Sequence, residues 1–264
     1  MQRNRSGRVR SGLPGLGAAL AALLCGGQVD AQTPASLPFA AGESCVYRGS
    51  SRLGRIGTGT MAVEAGETVD GRRTLLLRND FRGRMGPAGI EDRTRSWFDP
   101  ELRGALRFTR RERSPLGSRD EDIRMDVAAR RWRDVSGAGG SMATGAPLDE
   151  LSFIYFIRTL RLAPGETHSL TRHYDPARNP VQVRVVGRGP MEVPAGRFQT
   201  IEVEMRVKDP VRYRGEGVIQ IHLTDDARRI PVRIESAIPR VGRMVLSLQS
   251  GTGTCAVSQA TASR

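Results

Sequence analysis

The sequence predicts a mainly β protein, built as an antiparallel curved sheet or incomplete β-barrel with one apolar α-helix packed on it. Apolar and polar residues alternate in segment after segment, which is the period of a strand with one buried and one wet face. Turn motifs rich in Gly and Pro separate these segments. One stretch alone shows a strong helical pattern, between residues 150 and 161.

The first segment is typical of a secretory signal peptide, predicted for residues 1–31. Four arginines precede an apolar run from Leu16 to Leu24, which is shorter than the ~20 residues of a membrane-spanning helix. A retained anchor and a lipoprotein acylated at Cys25 are the alternatives, although Leu24 is not the small residue expected before a lipidated cysteine. We therefore expect cleavage after Ala31 and a periplasmic location.

Residues 32–264 are expected to form a single β-rich domain. Its core is predicted at 39–249, with a flexible connector at 136–147 and a C-terminal tail at 250–264. The connector, SGAGGSMATGAP, has neither periodicity nor bulky side chains.

The charge balance is basic but does not indicate nucleic-acid binding. The formal net charge is +13, and loss of the leader, with four arginines and Asp30, leaves +10. The basic residues are spread at alternating positions rather than gathered in an arm or helix, so no nucleic-acid partner is predicted. An anionic envelope surface is a candidate partner.

Two cysteines, Cys45 and Cys255, remain after cleavage, one near each end of the mature chain. Thiols are oxidised in the periplasm, so we expect them to form a disulfide. Two unrelated free thiols are the alternative.

The clearest strand is 201–208, IEVEMRVK, in which four apolar side chains share one face and four charged side chains the other. The same alternation predicts strands at 181–185 and 243–249. Weaker strand candidates are 43–50, 55–64, 73–82, 91–98, 104–112 and 119–127. The motif VPAGRF predicts a turn at Pro194, and SPLGS predicts another at 114–118.

The predicted helix covers residues 150–161. Asp149 can cap its first amides, and Pro164–Gly165 ends it. Because it is apolar almost all round, we expect it to be buried across the sheet rather than to bind a partner.

The stretch IHLTDDARRIPVRIES, 221–236, predicts a hairpin. Its arms carry apolar residues at alternate positions on either side of Asp225 and Asp226. The two acids therefore fall in the connecting turn, where they are expected to accept backbone hydrogen bonds rather than to act as a general-acid pair.

Five segments together resemble the bacterial exported proteins of domain-of-unknown-function family 3108. They are FAAGESCVYRG, GRIGTGTMAVE, LDELSFIYFIRTLRLAPGE, MEVPAGRFQTIEVE and IHLTDDARRIPVRIESAIPRVGRMVLSL, and the match spans about 39–249. The resemblance implies an exported, antiparallel β protein of the Gram-negative envelope, with no established activity. His222 replaces a tryptophan often found in the family, and the cysteine pair is not a family feature.

No motif indicates a catalytic, cofactor or metal site, and none is predicted. His168 and His173 lie five apart without a cluster of other ligands, His222 is expected on the wet face, and no G-x-S-x-G motif occurs. GRIGTGT lacks the lysine of a phosphate-binding loop; its glycines, Gly57 and Gly59, are expected to let a strand bend or another backbone approach.

We therefore expect a non-enzymatic binding or envelope-maintenance protein, with an apolar or lipid-like molecule as its partner. A curved sheet with a helix on its concave face can enclose a pocket, and a fully packed interior is the alternative. A hydrolase acting on envelope polymers and a structural protein-interaction module are the other candidate functions. The candidate pocket-lining residues are Trp97, Phe98, Phe153, Tyr155 and Phe156.

Overall fold

The structure is a computed structural model that describes residues 36–52, 54–114, 117–210, 212–239 and 242–256. The predicted signal peptide, residues 1–31, lies outside these ranges. So do the centre of the predicted SPLGS turn, residues 115–116, and the last part of the predicted tail, residues 257–264.

Fourteen strands of the described chain form one sheet in which every pairing is antiparallel. The strands are β1 Ser44–Ser51, β2 Gly54–Ala65, β3 Leu75–Met85, β4 Ala88–Asp99, β5 Gly104–Ser114, β6 Gly117–Asp126, β7 Arg131–Asp134, β8 Gly139–Ser141, β9 Thr167–Leu170, β10 Val181–Val193, β11 Gly196–Asp209, β12 Gly215–Thr224, β13 Pro231–Ile238 and β14 Gly242–Thr252. One α-helix, α1 Glu150–Ile157, and 3-10 turns at Pro176–Arg178 and Gly253–Cys255 accompany them. The predicted mainly β class is confirmed.

The strand order places the two ends of the described chain side by side. Each strand pairs with its neighbours in sequence except that β8 and β9 do not pair with each other, and β1 also pairs with β14. The sheet is not closed, because β8 and β9 form its two edges. Both edge strands are short, three and four residues, which limits the unpaired backbone that they present.

The segment between β8 and α1 bridges the two sides of this opening. The backbone N–H of Ala105 donates to the Pro147 carbonyl at 2.7 Å, and the N–H of Leu148 donates to the Arg172 carbonyl at 2.6 Å. The N–H of Tyr174 donates in turn to the Leu148 carbonyl at 3.1 Å. A single extended stretch thus joins the start of β5 to the chain that follows β9.

Period-two burial holds along the strands. In β11, Ile201, Val203 and Met205 are buried, while Arg206 and Lys208 are exposed. The predicted hairpin is confirmed as β12 and β13, with residues Ile221, Leu223, Ile230, Val232 and Ile234 in the core. The turn at Pro194 is also confirmed, because Val193 pairs with Gly196.

The glycines of GRIGTGT allow close backbone approach, as predicted. A Cβ at Gly57 would lie 2.3 Å from the Arg82 carbonyl oxygen and 2.7 Å from the Gly83 Cα. A Cβ at Gly59 would approach the Phe81 ring to 3.3 Å. Phe81 therefore covers a patch of sheet that has no side chains of its own.

The helix begins where predicted and ends earlier. The Asp149 carboxylate accepts from the backbone N–H groups of Leu151 and Ser152, both at 2.9 Å, and from the Ser96 hydroxyl at 2.6 Å. The predicted end at 161 is wrong. After Ile157 the chain tightens into i to i−3 hydrogen bonds. The Arg229 guanidinium donates to the Arg158 carbonyl oxygen at 2.9 Å, so this carbonyl is bonded to a side chain instead of to a further turn of helix.

Within the described residues no helix has the length and apolarity needed to cross a membrane.

Two predicted irregular segments contain regular structure. The connector at 136–147 includes β8 and the bridging carbonyl of Pro147. The tail at 250–264 begins with the end of β14 and the 3-10 turn at Gly253–Cys255. Neither could be predicted from local pattern, because their backbone groups are paired by distant parts of the chain.

A fully buried ion pair fixes the end of the helix. The Arg158 guanidinium donates to both carboxylate oxygens of Glu43, at 2.6 and 2.8 Å, and both side chains are 1% exposed. It also donates to the carbonyls of Pro38 and Arg228, each at 3.0 Å. Its face lies over the Phe39 ring, 5.2 Å from the centroid. The residue therefore joins the N-terminal segment, α1 and the hairpin turn.

We predict that Arg158→Met and Glu43→Gln will each lower the free energy of unfolding by about 3–5 kcal/mol, because each leaves the other group without its partner in the interior. The double variant should lose less than the sum of the single losses. Urea titration measures both quantities.

Arg206→Met is the matched control, since Arg206 forms ion pairs with Glu204 and Glu216 on the exposed face. Its expected cost is about 0–1 kcal/mol. Equal costs for Arg158→Met and Arg206→Met would show that the buried ion pair contributes no more to stability than an exposed one.

Candidate functional site

A cavity of about 200 Å³ lies between α1 and the concave face of the sheet. Its walls come from both halves of the sheet and from the first half of the helix. The helix packs most closely against β3 and β4. Eight residues give a helix only about 12 Å long, so it covers part of the concave face and leaves a space beside it.

The greater part of the cavity wall is apolar. Val207, Ile219 and Leu246 line it from β11, β12 and β14, and Ile154 lines it from α1. These four side chains are only partly buried although they pack against the main core. Val207, Ile219 and Leu246 are thus inward residues of the sheet that the helix does not cover.

One end of the cavity is polar and charged. Arg178 donates to Glu150 at 2.6 Å and to Asp209 at 3.1 Å. Arg110 lies 3.8 Å from the same Glu150 oxygen and donates to Glu121 at 3.4 Å. Two arginines therefore flank Glu150, and we call Arg110, Glu150, His173, Arg178 and Asp209 the polar end.

Three buried polar atoms of the polar end have no hydrogen-bond partner: Arg110 Nε, Glu150 Oε2 and His173 Nε2. Their residues all line the cavity. The side chains of Arg110 and His173 are 5% and 4% exposed. His173 Nε2 lies 3.9 Å from Glu150 Oε1, beyond hydrogen-bond distance. Buried polar atoms are normally paired, so three unpaired atoms at one end of a cavity are a departure that a bound molecule would remove.

The hydrogen bonding of His173 determines which ring nitrogen carries the proton. Its Nδ1 accepts from the backbone N–H of Asp175 at 3.0 Å, so in the neutral ring the proton is on Nε2. Phe153 stacks on the ring at 6.2 Å between centroids, and Tyr174 packs at 4.5 Å. The imidazole is thereby held with an N–H directed to the polar end.

The charges of the polar end favour an ionised Glu150. Burial raises the pKa of this carboxyl, but Arg110, His173 and Arg178 together outweigh it and hold the pKa well below its ordinary value. Burial likewise opposes the charge of Arg110, while Glu150, Asp92 and Glu121 raise its pKa. Glu150 is consequently an acceptor and not a proton donor near neutral pH.

The predicted lining residues are divided between the cavity and its surroundings. Phe153 lines the cavity, whereas Phe98, Tyr155 and Phe156 belong to the packed core. Trp97 lies under the Arg107 guanidinium, 4.7 Å from the ring centroid, on the opposite face of β4 from Phe98. Alternation along β4 separates these two neighbours, so only one of them could face inward.

Sequence reasoning missed Arg110, Glu150 and His173 as site residues. A signal was present in β5, where Arg110 is two positions from the buried Phe108 and therefore shares its inward face. An arginine at an inward-facing position of a strand, where apolar residues are expected, indicates a buried partner or a ligand. Glu150 and His173 carried no comparable signal, because they reach the cavity through the helix start and the loop after β9.

The Asp225–Asp226 pair lies in the hairpin turn and away from the cavity lining. Asp226 accepts from the backbone N–H groups of Arg228 and Arg229, at 3.0 and 3.1 Å, and from the Thr224 hydroxyl at 2.7 Å. Burial raises its pKa, but these donors and the Arg228 guanidinium lower it overall. Asp225 pairs with Arg188 at the surface. The turn interpretation is confirmed.

The remaining predicted features are also placed. Cys45 and Cys255 are bonded, with sulfur atoms 2.02 Å apart. His168 Nε2 lies 2.8 Å from the Arg161 carbonyl oxygen and 3.8 Å from Glu166, and the described residues contain no group of three His, Cys, Asp or Glu side chains arranged to hold a metal. His222 lies on the outer face of β12, half buried, and burial lowers its pKa.

The family model described as protein of unknown function, DUF3108, matches residues 46–249. The chain therefore belongs to this family, as the resemblance indicated. No curated protein matches the sequence.

Several solved structures are similar at low identity. A β-barrel-like protein of domain of unknown function DUF1849 from Brucella abortus has a TM-score of 0.47 and 13% identity, covering 80% of this chain and 97% of its own. A DUF1089 family protein from Pseudomonas aeruginosa has a TM-score of 0.33 and 13% identity, covering 69% and 90%. A Bacteroides fragilis protein with a YmcC-like fold, provisionally named as exported, has a TM-score of 0.31 and 13% identity, covering 83% and 99%.

We predict that Asp226→Ala will lower the free energy of unfolding by about 1–3 kcal/mol, because it leaves two backbone amides and a hydroxyl without their acceptor. Asp225→Ala, which removes only a surface ion pair, should cost about 0–1 kcal/mol.

The contribution of Asp226 to the free energy of unfolding should depend on pH. Since the folded pKa of Asp226 lies below 3.8, this contribution is complete above that pH and is lost as the pH falls further. Urea titrations at several pH values measure this. A larger loss for Asp225→Ala would contradict the assignment.

Proposed function

We propose that this DUF3108 protein is an exported, non-enzymatic binding protein that holds a small apolar or amphiphilic molecule in its cavity. The observation that carries the proposal is the cavity on the concave face, apolar over most of its wall and polar at one end. An apolar wall combined with polar groups that fix orientation is typical of small-molecule sites.

The cavity volume indicates the size of the ligand. About 200 Å³ is below the ~300–1,000 Å³ of drug-sized sites. The proposed ligand is therefore a short chain or one segment of a lipid, with the rest in solvent.

Export is supported by features at both ends of the chain. The segment 1–31 has the charge and apolar pattern of a signal peptide. The Cys45–Cys255 bond is of a kind that persists in oxidising compartments. We accordingly propose the periplasm as its location.

The polar end favours binding over hydrolysis. A general base needs a free lone pair and sufficient basicity. In neutral His173 the Nδ1 lone pair accepts from the Asp175 N–H, and Arg110, His173 and Arg178 hold the pKa of Glu150 well below its ordinary value, which makes it a weak base. The hydrolase alternative would require one of them to accept a proton. The short edge strands, β8 and β9, give a protein-interaction module little backbone to pair with.

A second candidate function is adhesion to an anionic envelope surface, supported by a group of arginines on β6 and β7. Arg124 and Arg133 are exposed and lie directly opposite each other, an arrangement that is unfavourable without an anion. Val135 beside them is 75% exposed. Charge and apolar exposure together suit a lipid surface.

The cavity proposal predicts that filling the cavity will prevent binding. Native mass spectrometry of the protein purified from the periplasm of its own host should show an added mass of a small ligand. Ile219→Phe, which places extra volume in the cavity, should lose this mass. The control Gln220→Phe, on the opposite face of β12, should keep it. A bare mass for the wild-type protein would count against the proposal.

The surface proposal predicts sedimentation with anionic phospholipid vesicles at low salt and none with neutral vesicles. The double variant Arg124→Gln/Arg133→Gln should reduce the bound fraction several-fold. Raising the salt to 0.5 M should have a similar effect, because screening weakens exposed charges. Arg206→Gln, on the outer face of β11, is the control. Equal binding to both vesicle types would overturn the surface proposal.

A further inference from the structure

We infer that the cavity selects an amphiphile whose polar group is a neutral hydroxyl and discriminates against the corresponding carboxylate. This inference rests on the proposed binding function and specifies the chemical class of the ligand. It comes from the donors and acceptors that the polar end leaves unpaired.

The unpaired atoms number two donors and one acceptor. Arg110 Nε and His173 Nε2 each carry an N–H, and Glu150 Oε2 offers lone pairs. A hydroxyl group supplies one O–H donor and two acceptor lone pairs. It can therefore accept from both nitrogens and donate to Glu150 at once.

A carboxylate satisfies only part of this set. It has acceptors and no donor, so it could take the two N–H groups but would leave Glu150 Oε2 unpaired. It would also add a second negative charge beside Glu150. Both effects oppose binding, since an unmet buried acceptor and a like charge are each unfavourable.

The two arginines of the polar end are already paired with carboxylates, while Lys208 and Arg212, which also line the cavity, contact the Asn179 carbonyl at 3.0 Å and Glu112 at 3.8 Å. Arg178 is shared between Glu150 and Asp209, at 2.6 and 3.1 Å. Arg110 lies between Glu121 and Glu150, at 3.4 and 3.8 Å. Arg178 and Arg110 together thus already contact three carboxylates. Arg119 pairs with Glu121 at 2.7 Å and stands 3.7 Å from Asp209, which completes the balance.

The test compares two probes of equal length, octan-1-ol and octanoate, by isothermal titration calorimetry at pH 7.5, where a carboxylic acid is ionised. The chain length suits the cavity volume of about 200 Å³. We expect octan-1-ol to bind at least tenfold more tightly than octanoate. Equal affinities, or tighter binding of octanoate, would overturn the inference and leave the proposed function standing. Failure of both probes to bind would overturn both.

Two charge-matched variants locate the discrimination. Glu150→Gln replaces the carboxylate by an amide that can donate to an anion, so the wild-type preference for octan-1-ol over octanoate should fall at least tenfold. Glu204→Gln makes the same change on the outer face of β11, in a residue that pairs with Arg206 and does not line the cavity. It should alter neither affinity more than about twofold.

A preference for octan-1-ol that Glu150→Gln leaves unchanged would overturn the assignment to Glu150. Thermal unfolding of both variants verifies that they fold. The wild-type comparison of the two probes needs no variant, so the inference stays testable even if Glu150→Gln is unstable.

Discussion

The buried ion pair between Glu43 and Arg158 is the constraint on which the rest of the structure depends. Removing both charges from water costs several kcal/mol per ion, and only close geometry with further hydrogen bonds offsets it. Arg158 meets this requirement through both oxygens of Glu43 and the carbonyls of Pro38 and Arg228. The Thr254 hydroxyl also donates to Glu43. The pair therefore exists only when the N-terminal segment, the helix, the hairpin turn and the end of the chain are all in place.

This anchoring explains why the helix leaves a cavity. Its C-terminal end is held by Arg158 and by Arg229, which donates to the Arg158 carbonyl, while its first turn is held by the Asp149 cap and Ser96. The helix cannot slide to fill the concave face. The inward residues of β11, β12 and β14 beyond its reach remain partly exposed, and the polar end closes the same space with groups that are not all paired.

The Asp225–Asp226 turn also helps to hold the end of the helix. Asp226 shapes the turn so that the Arg228 carbonyl reaches Arg158 and the Arg229 guanidinium reaches the helix end. Arg229 adopts a positive φ of 47°, a conformation that the surrounding hydrogen bonds maintain. Two acids beside two arginines thus resemble a catalytic cluster in sequence. In the structure, however, Asp225 pairs with Arg188 at the surface, and Asp226 pairs with Arg228 and with backbone N–H groups of its own turn.

Local sequence determined the strands, the capped start of the helix and the Asp225–Asp226 turn, because period-two burial, an N-cap and turn residues act over a few neighbours. β7, β8 and β9 were not predictable, since strands of three or four residues show no clear period. The bridge at Pro147 and Leu148, the helix end at Ile157 and the meeting of Arg110, Glu150 and His173 were decided by tertiary structure alone. Each depends on contacts between residues tens to more than a hundred positions apart, and sequence pattern carries no information about which distant groups will become neighbours.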